Sequence, residues 1–280
     1  MDPPASGPAL AALGEDLFLL SIRARDGKLM TRRRIDSALM GSELVRLAAA
    51  GRAWISEGRI AVRDRAATGD TELDAALAGL AGAPFPPRPE TWVGLPRPGI
   101  RDAYAARLIA AGVLRLEPGR LPGTARYHVT DAPRAAAARS RLDAATQAHG
   151  GPAGPAPAAL AGLGRATGLA GVVYPGRDGQ PRRARMAEIA RQQVIARTAA
   201  GPDLAARPAT EEAIAAAVQG LTLVFEGGAI LGAGVTGSRV AGRQRPAFHW
   251  PAVHGGGSHD AGSHGQGHGH GHGPGSHGPA

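Results

Sequence analysis

A chain of 280 residues with a formal charge of +9 is long enough to bury a sizeable core, and its basic balance favours partners that carry phosphate, either nucleic acid or an anionic lipid surface. It has no cysteine, which excludes a disulfide framework and any thiolate-held metal. Aromatic residues are only 4% of the chain, so the core must come from Leu, Ala, Ile and Val, which suits packed helices better than a sandwich of long strands.

Residues 1–8 read as a disordered lead without the basic start of a targeting signal. A first helix is predicted over 9–22, where Leu10, Leu13, Leu17 and Leu20 recur at helical spacing. Gly14, Glu15 and Asp16 interrupt that stretch, and nowhere does the chain reach the roughly 20 apolar residues a spanning helix needs. Asp26-Gly27 marks a turn. A second helix follows over 35–50, with Ile35, Leu39 and Leu47 inward and Gly51 as its stop. The extended runs 53–56 and 59–63, joined by Glu57-Gly58, read as a hairpin.

A third helix opens near Thr71, with Asp74 at capping-box spacing. A Pro-rich stretch over 84–89 separates it from Trp92. The fourth helix covers 99–111, with Ile100, Tyr104 and Leu108 on one stripe. Runs 113–116 and 127–129 then make a second hairpin around a Pro/Gly-rich tip. Four more helices follow, over 132–148, 157–171, 181–200 and 210–225, the last with Thr210 as N-cap and Glu211 and Glu212 at the positive end of its dipole. From 226 to 280 the chain is a Gly/His-rich tail that cannot bury enough apolar surface to fold. The fold class expected is therefore mainly α: a single helical domain over 9–225 with two short β-hairpins, between disordered ends.

Five ordered stretches resemble the Golgi phosphoprotein 3 family. They are Glu15-Asp16-Leu17-Phe18-Leu19-Leu20; Arg25-Asp26-Gly27 with Leu39-Met40-Gly41-Ser42-Glu43-Leu44; Ala67-Thr68-Gly69-Asp70 with Leu73-Asp74 and Ala76-Leu77; Thr91-Trp92-Val93; and Ile100-Arg101-Asp102 with Leu108 and Gly112-Val113-Leu114. Thr-Gly-Asp-x-x-Leu-Asp is the most specific of these, and the resemblance covers about residues 10–225. It implies a mostly helical, non-enzymatic peripheral membrane adaptor on the cytosolic face, binding phosphatidylinositol 4-phosphate and, in eukaryotes, the cytoplasmic tails of membrane proteins. The composition looks more like that of a bacterial relative. Members use a Trp and several Arg for the headgroup and insert a hairpin tip into the bilayer. Carried over by position, one family arginine falls on Arg101, while two others fall on Pro98 and Met40 and are lost. The family tryptophan falls near Thr31 or Arg32, where Arg32-Arg33-Arg34 can supply charge instead. The tip offers Arg120 and, as its one large apolar side chain, Leu121.

From the residues themselves, Arg97 and Arg101 flank the start of the fourth helix, where basic side chains oppose the helix dipole unless an anion docks or nearby acids such as Asp102 pair with them. Arg32-Arg33-Arg34 is either a solvated loop or a second wall of a headgroup pocket. The cluster Arg182, Arg183 and Arg185 fits the polar side of an amphipathic helix. Asp70, Glu72 and Asp74 are accounted for by helix capping rather than by acid–base chemistry. His268, His270 and His272 in the tail suit loose binding of nickel, copper or zinc, with no physiological metal or other cofactor implied. No nucleophile, P-loop or dinucleotide pattern occurs. The alternative to a lipid-binding adaptor is a winged-helix-like nucleic-acid-binding protein, because helix-then-hairpin occurs twice. The weakness of that alternative is that helices 35–50 and 99–111 carry few base-reading side chains. A third possibility is a scaffold whose only partner is a protein tail, with the arginines incidental.

Overall fold

In the computed structural model, residues 8–30, 32–119, 125–147, 154–199 and 208–226 are described. They form eleven helices and two antiparallel hairpins, and buried side chains from Leu10 to Leu221 join one hydrophobic cluster. The architecture is mainly α, as the composition and periodicity require.

The segment expected to be one helix over 9–22 is two, α1 (Pro8–Ala11) and α2 (Leu13–Ser21). Gly14 on α2 lets Tyr104 lie against the backbone: a Cβ there would stand 2.4 Å from the ring. After α2 the chain folds back on itself. Met30 N–H donates to Ser21 O, Arg23 N–H to Lys28 O, and Gly27 takes a left-handed φ of 65°. That is the turn the Asp-Gly pair announced.

Helix α3 (Arg32–Ala49) starts three residues before the expected Ile35, so Arg32-Arg33-Arg34 is its first turn and not a preceding loop. From Ser37 to Ala48 every residue of α3 is buried, because α2, α4, α5, α6, α8 and α11 all pack on it. Small residues permit this enclosure. A Cβ on Gly41 would stand 3.1 Å from Leu163 and 3.5 Å from Leu221. A helix closed on all sides leaves nothing to lie in a DNA groove. The outward residues of α6 offer little to base edges either: Ala106, Ile109 and Ala110 are apolar, Asp102 is acidic, and Arg107 is held by Glu15 and Asp70.

β1 (Ala53–Ser56) and β2 (Arg59–Val62) pair as expected, with Trp54 opposite Ala61. Helix α4 (Thr71–Ala81) is capped by Asp70, one residue before the Thr71 the sequence suggested; its carboxylate accepts from the N–H groups of Glu72 and Leu73. Asp74 instead holds Thr68, accepting from its N–H at 2.6 Å and its hydroxyl at 2.7 Å. The Pro-rich stretch leads into a short helix that periodicity did not reveal, α5 (Pro89–Gly94), which buries Trp92 and aims its indole N–H at Met40 O, 3.0 Å away.

Helix α6 (Ile100–Ala110) leads to β3 (Leu114–Glu117) and β4 (Arg126–Val129). Then come α7 (Ala132–Gln147), α8 (Pro155–Ala166), α9 (Leu169–Val173), α10 (Gln180–Ala199) and α11 (Ala209–Phe225). The helix expected over 157–171 divides at Gly168, whose φ of 79° is left-handed. Pro208, not Thr210, occupies the N-cap position of α11, since proline's fixed φ suits a helix entry. Glu212 there is 3% exposed and accepts from Arg197 at 2.6 Å.

Candidate functional site

Many of the arginines pair with acids of the fold itself. Arg141 and Arg134 both grip Asp16, Arg134 and Arg107 share Glu15, and Arg107 and Arg46 share Asp70. This relay ties α7, α2, α6, the α4 cap and α3 together. At Asp70, burial pushes the carboxyl up, but Arg107, Arg46 and the Leu73 amide outweigh it and hold the group at about 2.

Arg97 belongs to the same class. It donates to Glu43 at 2.8 Å and to Glu72 at 2.7 Å, and its side chain is only 12% exposed. Glu43 is fully buried, and burial pushes its carboxyl up to about 8 against the pull of Arg97. Arg97 therefore closes an internal ion cluster and is not presented at the surface, contrary to the reading that placed it at a headgroup. Glu72 is its partner, which explains that acid structurally.

Arg101 lies elsewhere. One guanidinium nitrogen stands 3.2 Å from each oxygen of Asp36, on the second turn of α3, and its Nε is 3.6 Å from Asp102. Asp36 feels burial first, which raises its pKa, then the opposing pull of Arg101, the push of Asp102 and the pull of Arg32. Tyr127 on β4 responds to burial and then to Asp102, Arg101 and Arg32. The starts of α3 and α6 and the strand β4 thus converge, bringing Arg101 and Arg32 to one place. Arg101 is not a free cation, however, because Asp36 holds it.

The triple arginine fans out, as consecutive helical residues must. Arg32 and Arg33 are exposed, and among the described residues neither has a carboxylate within ion-pair distance. Arg34 turns to the other flank of α3. There it donates to Thr167 O at 3.1 Å and lies over the Phe225 ring at 5.0 Å. A Cβ on Gly168 would stand 2.8 Å from its Nη1. With Arg23, Leu29, Met30 and Val172 it lines an open depression of about 510 Å³.

Beside this end of α3, Tyr127 N–H donates to Gly27 O at 2.8 Å, docking the loop 22–29 onto β4. The seam between them is a second depression of about 470 Å³, with Arg25 and Arg126 exposed along it. The hairpin also shows apolar surface to solvent, Leu116 at 43% and Val129 at 40%. Arg120 and Leu121 at its tip lie outside the described residues, as do His268, His270 and His272. Among the described residues no cluster of His and acidic side chains could hold a metal ion. Arg182 pairs with Asp143, and Arg183 donates to Tyr174 O and Gly176 O, so both serve the packing of α10.

Two residues here escaped the sequence reading. Asp36 was visible as the acid that follows three arginines, but nothing said which distant cation it would meet. Tyr127 was legible only as a strand residue.

Among the described residues no helix is long and apolar enough to cross a membrane. The family model for Golgi phosphoprotein 3 (GPP34) matches residues 13–219, most of the helical body, and the chain belongs to that family. No curated protein matches it.

Proposed function

We propose, with that membership as the premise, that the chain is a non-enzymatic peripheral adaptor on the cytosolic face of a membrane. In this reading it binds the phosphorylated headgroup of an anionic lipid of the phosphatidylinositol 4-phosphate type, and it recruits cytoplasmic tails of membrane proteins. The observation that carries the lipid reading is the placing of exposed Arg32 close to Arg101 at one end of α3, with exposed Arg33 in the same first turn and near a hairpin that exposes Leu116 and Val129. Cations flanked by apolar side chains suit the boundary between headgroups and acyl chains, where each arginine contributes about 1 kcal/mol on an anionic surface. The first turn of α3 contains no acid, so its free N–H groups and its arginines have the same sign. That arrangement costs a few tenths of a kcal/mol by itself and is offset when a phosphate docks.

Co-sedimentation with liposomes tests the proposal. The protein should pellet with vesicles containing phosphatidylinositol 4-phosphate far more than with neutral vesicles, and salt should weaken the binding. Replacing Arg32 and Arg33 together by Ala should remove most of it. Equal pelleting with neutral vesicles, indifference to the double substitution, or displacement by duplex DNA at physiological salt would sink the reading.

A further inference from the structure

The opposite end of α3 carries a second surface. Strand alternation in the first hairpin turns Ala53, Ile55 and Ile60 into the core and leaves Arg52, Trp54 and Ser56, with Arg59, Ala61 and Arg63, on the outer face. Trp54 is 44% exposed. In the register it faces Ala61, so Arg59 and Arg63 are its diagonal neighbours, close enough for long side chains to frame the indole. Both arginines are exposed, and neither has a carboxylate within ion-pair distance among the described residues; Arg59 donates only to Pro86 O. Of the two acids on this hairpin, Asp64 is bound by Arg52, and Glu57 stands exposed in the turn without reaching ion-pair distance of either arginine among the described residues. Along the outer edge of β2 runs the segment 85–87, fastened by Ile60 N–H to Pro87 O at 2.8 Å. It presents Phe85, at 71% the most exposed large apolar side chain among the described residues.

In a chain with seven Phe and Trp in all, two stand outward in one corner, with unneutralised arginines between them. Trp and Arg are the residue types that dominate binding hot spots, because each offers a large, rigid contact area together with a polar edge. We propose that this hairpin face docks an extended acidic segment of a partner protein, in which carboxylates meet Arg59 and Arg63 and an apolar side chain covers Trp54. The charge calls for an anionic occupant. The strands that carry the face are only four residues long, about 13 Å, which suits a short peptide better than a nucleic-acid strand tracked over many phosphates. A bilayer is disfavoured by position. Arg52 N–H hooks β1 to Leu47 O at the far end of α3, and the 18 residues of that helix place the face about 27 Å from Arg32. A protein lying on a membrane through one end of α3 would hold the other end out to a partner.

The test uses the full chain and a fluorescein-labelled twelve-residue peptide of alternating Glu with Leu and Phe, read by anisotropy. Its Lys-for-Glu counterpart and a labelled oligothymidine serve as controls. The acidic peptide should bind, the basic one should not, and Trp54→Ser or the pair Arg59→Glu, Arg63→Glu should each weaken binding about tenfold or more. Liposome binding should be unchanged in the same variants, which separates failure here from failure of the lipid reading. Because Trp54 is half out of the core, both variants should melt as the parent does. Absence of acidic-peptide binding, equal binding by the variants, tighter oligothymidine binding through the same residues, or loss of liposome binding in the variants would each overturn the proposal.

Discussion

Asp36 accepts from Arg101 with both carboxylate oxygens at 3.2 Å, so the arginine nearest the proposed headgroup site reaches that site already paired. An incoming phosphate has to compete with an acid whose pKa burial raises from its ordinary value.

Replacing Asp36 by Asn should release Arg101 and strengthen binding to phosphoinositide vesicles roughly threefold to tenfold, about the contribution of one charge-assisted hydrogen bond. Arg101→Ala should weaken it. The pH dependence has a definite sign. Protonating Asp36 also frees Arg101, so wild-type binding rises as pH falls, and the part due to this acid is missing in Asp36→Asn. Liposome titrations of both proteins at neutral and mildly acidic pH measure the difference. An unchanged affinity in Asp36→Asn would show that Arg101 does not meet the lipid.

Asp70→Ala should destabilise the fold by about 3–5 kcal/mol, because it removes a helix cap and strands Arg46, only 6% exposed, without its carboxylate. Asp70→Asn keeps the cap and should recover about 1 kcal/mol of that loss. Urea unfolding midpoints of the three proteins decide it. Equal stability of the Ala and Asn variants would mean that the cap contributes nothing.

Glu43 gives the stability a pH dependence. Its folded-state pKa is raised by burial from 4.5 to about 8, so over that window the unfolded chain gives up this proton first. The group's contribution is complete below the window and is lost as pH rises through it. Glu43→Gln should flatten the fall. Unfolding free energies measured across the window should show a smaller slope in the variant, and identical slopes would count against a protonated Glu43.

Gly27→Ala forces a side chain into the left-handed region at φ 65° and sets its Cβ 2.8 Å from Tyr127 O. The backbone alone costs about 1–2 kcal/mol. Release of the loop from β4 should lower the melting temperature and also reduce liposome binding, since Arg23 and Arg25 are carried by that loop. A lowered melting point with intact binding would separate the loop from the site.

The helices were legible wherever apolar residues recur at helical spacing, as at Ile100, Tyr104 and Leu108, all of which are buried. Both hairpins were legible from Gly-centred turns. The short α5 was not, because its six residues begin at a proline and hold too few turns for a period to show. Arg97 and Arg101, four residues apart, both flank the start of the fourth helix, and the family pattern marks only Arg101, but nothing local names the partner of either. One closes a cluster with the fully buried Glu43, and the other, itself only 17% exposed, pairs with the partly buried Asp36, each a partner more than fifty positions away.

The sequence by itself determined the helical class, the Asp-Gly and hairpin turns and the family, since these rest on short-range spacing and on ordered local motifs. Only the tertiary structure decided which arginines are presented to a partner. A guanidinium is neutralised by whichever carboxylate the fold brings within a few ångströms, and that choice is made by packing between distant segments, not by any neighbour along the chain.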